Sequence, residues 1–186
     1  MMNEQDQALI ARIAEGDQSA VRLLYGQHSA RVFRFILRTV SNEATAEELT
    51  NEVFLDVWRH AASYRGQAAV TTWLLSIARN KAISRLRKRS DAPLDEEFAE
   101  TIADDTDLAD TGLAKQGKAG LMRICIDKLS PAHREIIDLV YYHERSVSEA
   151  AEILGIPENT VKTRMFHARK QLTEHFRRAG IDRGWP

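Results

Sequence analysis

Between Asp91 and Asp110 the chain places nine acidic residues and no Lys or Arg. On either side of that block, apolar residues recur at helical spacing. This division constrains the fold more than any other feature. A strongly acidic stretch with weak apolar periodicity buries too little to order itself, so any core must be built separately before and after it. Four Pro and nine Gly in 186 residues leave long uninterrupted periodic segments, and runs that alternate like strands are few. The expectation is an all-α chain of two small helical domains, 1–90 and 118–180, joined by a flexible acidic linker at 91–117 and ending in a tail at 181–186.

Helix boundaries follow from local chemistry. Gln5 to Ala14 and Ser19 to Val40 carry apolar spacing near 3.6 residues. Thr45 with Glu48 three residues on reads as a capping box, opening a helix to about Ala62. Tyr64 to Ala68, with Gly66 inside, breaks the pattern. A helix over Val70 to Arg89 is expected to bury Leu74, Ile77, Ala78, Ala82 and Leu86. In the second half, LMRICIDKL is amphipathic, and Ser130-Pro131 supplies an N-cap followed by Pro in the first turn. That helix is expected to run through Tyr142. Ser146 with Glu149 forms another capping box, Gly155 ends the short helix SEAAEILG, and a last helix begins near Pro157.

Charge is sorted along the chain, so the net value of −1 hides it. Six basic residues and no acid lie between Arg79 and Arg89, and bases again outnumber acids from Lys162 to Arg178. No apolar run approaches the length of a membrane span, and the acidic, amphipathic N-terminus lacks a secretory pattern. Membrane insertion is not expected, and the cytoplasm is the expected location. The lone Cys125 permits no internal disulfide and no cysteine zinc cage. It is expected in the core beside Ile124 and Ile126. His28, His60, His133, His143, His167 and His175 show no metal-like spacing. No phosphate-binding glycine loop or nucleophile elbow is present. No enzyme activity, metal or cofactor is expected.

The segment from Ser146 to Leu172 carries the chemistry: a short helix, a Gly-containing turn and a second helix with a basic outer face. This is the pattern of a helix-turn-helix, whose second helix enters the major groove of DNA. On that helix Val161, Met165, Ala168 and Leu172 share one stripe. Asn159, Thr163, Phe166, His167 and Lys170 lie opposite, with Lys162, Arg164 and Arg169 on the flanks. Lys162 and Arg164 can donate to guanine or to phosphate, Asn159 and Thr163 can reach bases or phosphates, and Phe166 can cover a thymine methyl. A free-standing repressor with this motif remains an alternative; it would need a dimer interface or ligand pocket in the first domain.

Two segments carry a family resemblance. AEELTNEVFLDVWRHAASYRGQAAVTTWLLSIARNKAISRLRKR, Ala46 to Arg89, resembles region 2 of the extracytoplasmic-function (ECF) sigma factors of the sigma-70 family. LSPAHREIIDLVYYHERSVSEAAEILGIPENTVKTRMFHARKQL, Leu129 to Leu172, resembles their region 4. The order and the linker match as well. The resemblance implies a protein that binds core RNA polymerase, through the β′ clamp coiled coil and the β flap, and directs it to promoter DNA. An anti-sigma factor is the implied regulator.

Residue by residue, the resemblance places core-polymerase contacts on Glu48, Asn51, Glu52, Phe54 and Asp56, with Asn51 where Gln is more usual. It places −10 recognition and melting on Tyr64, Arg65 and Gln67 of a loop that also holds Gly66. Asn80 is implied as a pocket residue for an unstacked base, and Arg79, Lys81, Arg85, Arg87 and Lys88 as phosphate holders. It places −35 contacts on Lys162, Thr163, Arg164, Phe166 and His167, alongside Asn159, Arg169 and Lys170. His167 stands where Arg is frequent, which implies a different −35 preference.

Overall fold

The computed structural model describes residues 2–89 and 118–180; the acidic linker and the tail lie outside the described residues. Those residues form eight α-helices and no strand. They fall into two compact units. One gathers α1 (Met2–Ala14), α2 (Gln18–Val40), α3 (Glu43–His60) and α4 (Val70–Arg89), together with α7 (Val147–Leu154). The other holds α5 (Lys118–Asp127), α6 (Pro131–Ile137) and α8 (Glu158–Arg178).

In the first unit α2 is the central helix, with α1, α3 and α4 packed against it and α3 lying along α4. Its buried residues Ala20, Leu24, His28, Val32, Phe35 and Ile36 step mostly by four, one face of the helix. Leu9, Ile10 and Ile13 come from α1, Ala46, Leu49, Val53, Phe54 and Val57 from α3, and Val70, Leu74, Leu75, Ala78 and Ala82 from α4. Leu75 replaces Ile77 and Leu86 in the expected set, since those two are only half-buried. One ionisable pair is enclosed with the core: Asp6 Oδ1 lies 3.1 Å from His28 Nε2.

Caps set the helix boundaries. The Asp17 carboxylate accepts from the Ser19 and Ala20 backbone N–H groups at 2.8 and 3.3 Å, which starts α2. Arg12, in the last turn of α1, donates to the same carboxylate at 2.9 and 2.7 Å, tying the two helices at their junction. The start of α3 differs from expectation. Asn42, not Thr45, is the N-cap; its extended backbone lets its side chain accept from Thr45 N–H at 2.8 Å. Asn outranks Thr as a cap, and once Asn42 holds that donor, Thr45 lies inside the helix. After α3, a 3₁₀ turn over Ala61–Ser63 leads into the loop that precedes α4.

In the second unit Ser130 caps α6 as expected, accepting from His133 N–H at 3.3 Å, with Pro131 in the first turn. The helix then widens into a π turn over Asp138–Tyr142, and His143 N–H reaches back five residues to Asp138 O at 3.0 Å. Cys125, Ile126, Leu129 and Ile137 close around Ala168, Leu172 and Phe176 of α8. Burying a side chain such as Leu172 contributes about 1.5–3 kcal/mol. Cys125 is thus a core residue, as expected.

Candidate nucleic-acid and polymerase interfaces

α7 ends at Gly155, whose φ of +66° is the left-handed conformation that glycine adopts without penalty. Ile156 N–H donates to Ala151 O at 3.1 Å and Gly155 N–H to Glu152 O at 3.3 Å, a glycine-terminated helix end. Pro157 then leads directly into α8. The helix–turn–helix chain path expected from the sequence is therefore present, with its turn at Gly155–Pro157.

α8 buries Val161, Ala168, Leu172 and Phe176. Met165, expected in the same stripe, is only half-buried. Opposite them, Asn159, Lys162, Thr163, Phe166, His167, Arg169 and Lys170 are exposed and Arg164 is half-buried. Phe166 is 65% exposed, the highest value among the large hydrophobics of the described residues. Its ring meets that of His167 edge to face, with centroids 5.5 Å apart. Three side chains of this face are already engaged: Thr163 Oγ1 donates to Asn159 O at 2.9 Å, Arg169 Nε donates to Tyr141 Oη at 2.7 Å, and Lys162 Nζ lies 3.9 Å from Glu158 Oε2. Tyr141 carries no sequence signal that would pair it with Arg169.

The loop expected to meet the −10 element is pinned at its ends. Tyr64 Oη donates to Ala68 O at 2.5 Å, and its ring lies 5.0 Å from that of Trp73. Trp73 is half-buried against Tyr64. Between these anchors Arg65, Gly66 and Gln67 are exposed, with Gly66 at a φ of +71°.

On α3 the expected docking residues separate by direction. Glu48, Glu52 and Asp56 lean toward the basic residues of α4, and Asn51 leans toward α2, where its Oδ1 accepts from Tyr25 Oη at 3.2 Å. Phe54, expected as the aromatic anchor of this face, is buried and packs on Tyr25 at 4.8 Å. Its position on α3 turns it to the core. The aromatic and apolar surface there belongs instead to Trp58 and Leu55, which sequence reasoning did not assign; the second is 52% exposed. Leu55 stands four residues after Asn51, a spacing that marks it as a neighbour on the same face.

Glu52 and Asp56 meet α4 across a cleft of about 460 Å³ lined also by Leu49, Ile77, Asn80, Lys81, Ser84, Arg85 and Lys88. The exposed Asn80 on one wall thus joins residues expected to serve two different partners. Lys81 Nζ lies 2.8 Å from Asp56 Oδ2, and Arg85 grips the Glu48 carboxylate with both terminal nitrogens, at 2.9 and 3.0 Å. The Arg85 guanidinium holds the Glu48 carboxyl below the usual carboxylate range. Arg87 and Lys88 are exposed near the end of α4, and Arg79 is half-buried.

Comparison with known proteins identifies the family. Residues 24–91 match the family model for sigma-70 region 2, and residues 121–172 match that for sigma-70 region 4. The ECF RNA polymerase sigma factor SigK of Mycolicibacterium vanbaalenii is 32% identical over 168 residues, covering 85% of this chain and 82% of that protein. SigK of Mycobacterium ulcerans is 30% identical over 171 residues, covering 89% and 90%. The fold resembles that of CnrH, solved with the cytosolic domain of CnrY, with a TM-score of 0.67 at 23% identity over 91% of this chain and 96% of that one. It also resembles RpoE from Bartonella quintana, solved with the anti-sigma factor NepR, with a TM-score of 0.65 at 24% identity over 87% and 98%. With both regions matched in order and relatives similar across most of its length, the chain belongs to the ECF RNA polymerase sigma factors of the sigma-70 family.

Proposed function

We propose that this sigma factor docks on core RNA polymerase through the outer face of α3, opens the −10 element with the 64–67 loop and α4, and reads the −35 element with α8. The observation that carries the reading is the outward face of α8, where an exposed phenylalanine stands among bases and amides. An exposed aromatic costs solubility unless a partner covers it, and a thymine methyl is an apolar target on an otherwise polar groove edge. At the −10 element, unstacking a base costs a few kcal/mol, which a pocket must return through edge hydrogen bonds and stacking. The exposed amide of Asn80 in its cleft supplies such hydrogen bonds, and the basic residues of α4 supply phosphate contacts. In this reading the promoter-binding parts of the chain are residues 1–90 and 118–180, the limits expected from the sequence.

The chain acts in the cytoplasm and performs no chemistry of its own; the polymerase does. NepR in the Bartonella quintana structure is an anti-sigma factor, and a protein of that class is the regulator we assign to this chain. Among the described residues no helix is long and apolar enough to cross a membrane. Run-off transcription with purified core polymerase tests the reading. A promoter-specific transcript that requires the added chain is the expected result. A footprint produced by the chain alone and unchanged by core enzyme would favour a free-standing repressor instead.

A further inference from the structure

The acidic flank of α3 and the basic flank of α4 form one interlocked surface. Lys81 Nζ lies 2.8 Å from Asp56 Oδ2 and 3.3 Å from Glu52 Oε2. Arg85 is held by both oxygens of Glu48, and one of its terminal nitrogens lies 3.6 Å from Glu52 Oε1. The two-pronged Arg–carboxylate arrangement is among the stronger ion-pair geometries. Two cations suited to hold promoter phosphate are therefore committed to three carboxylates suited to hold a basic partner helix.

We infer that these carboxylates are a built-in competitor for DNA: they occupy Lys81 and Arg85 in the free chain, and docking of a basic partner helix on α3 draws them away and releases both cations to promoter phosphate. The inference rests on the roles proposed above for α3 and α4. Its physical basis is exchange. A guanidinium already paired with a carboxylate gains little by meeting a phosphate, because it gives up one charge-assisted pair to form another. When the partner's bases take over Glu48, Glu52 and Asp56, that loss disappears. Glu48 is 57% exposed at the outer edge of α3, so an incoming side chain reaches it without unpacking the core. Linkage requires the reverse effect as well: DNA that pulls Lys81 and Arg85 away tightens docking by the same factor.

Fluorescence anisotropy of the free full-length chain with a labelled single-stranded oligonucleotide tests this without polymerase. The variant carrying Glu48→Gln and Asp56→Asn is expected to bind about three- to tenfold tighter at low salt, reflecting the release of two ion pairs. Its log affinity should fall with log salt more steeply, by about 0.7 for each cation gained. A charge-matched control, Glu47→Gln with Glu15→Gln, should change affinity less than about twofold, since neither residue belongs to the network. Adding Lys81→Ala and Arg85→Ala should abolish the gain. An equal gain in the control, no gain in the paired variant, or a gain that survives loss of both cations overturns the inference. Circular dichroism confirms that each variant is folded; Glu48→Gln alone, at the outermost of these positions, serves as the second variant should the pair unfold, with half the gain expected and no gain refuting. A holoenzyme assay with the wild-type chain separates the two levels. Failure to join core polymerase removes the proposed function, whereas normal promoter transcription without the anisotropy gain removes only the competitor.

Discussion

Phe166→Ala isolates the contact that most distinguishes α8 from an ordinary surface helix. With 65% of the residue exposed, roughly 100–160 Å² of a side chain that spans about 150–250 Å² faces outward. If a thymine methyl and its sugar cover half of that area, roughly 50–80 Å² leave water. At about 25 cal/mol per Å² the gain is about 1–2 kcal/mol, or about a 5- to 30-fold change in affinity. The same exposure means that truncation should change folding stability by no more than about 0.5 kcal/mol. The assay is competition binding of the holoenzyme to −35 duplexes carrying thymine or deoxyuracil, which lacks only the methyl, at each position in turn. The wild-type protein should lose affinity at one uracil position. Phe166→Ala should show the loss on every duplex and no further uracil penalty at that position. A variant that keeps the full uracil penalty would refute the argument, and so would one whose melting temperature falls with its affinity.

Arg164→Ala should cost about 1–3 kcal/mol of discrimination between the cognate −35 element and a scrambled one, measured by the same competition; equal weakening on both sequences would assign Arg164 to phosphate. Asp6→Ala leaves the buried His28 imidazole without its carboxylate partner and should lower unfolding free energy by about 1–3 kcal/mol in urea titration, with an unchanged midpoint counting against the pair. Asp17 is held far below the usual carboxylate range by the Ser19 hydroxyl first and then by Arg12. A depressed pKa contributes stability above the unfolded value of about 4 and loses it as pH falls below that. Unfolding followed from pH 6 down to pH 2 should therefore show a steeper acid loss for wild type than for Asp17→Asn, and parallel curves would dismiss this cap as a source of acid sensitivity.

The sequence by itself determined the helices, their order and the outward face of α8. These are local properties: apolar spacing selects the buried stripe, Ser130 and Gly155 mark helix ends through their own backbone chemistry, and Phe166 falls opposite Val161 and Leu172 by helical geometry alone. At the start of α3 the capping signal read at Thr45 was overridden by Asn42, because the extended backbone there aims the Asn42 side chain at the Thr45 N–H. Tertiary structure decided what no spacing rule contains: which flank of a helix meets a neighbour. It turned Phe54 inward onto Tyr25 and left Leu55 outside, because α2 covers one side of α3 and solvent the other. It also brought Glu48, Glu52 and Asp56 against Lys81 and Arg85, residues 25 or more positions apart that the sequence presents as two separate charged surfaces. Coulomb attraction acts across space and not along the chain, so that pairing exists only once α3 lies beside α4.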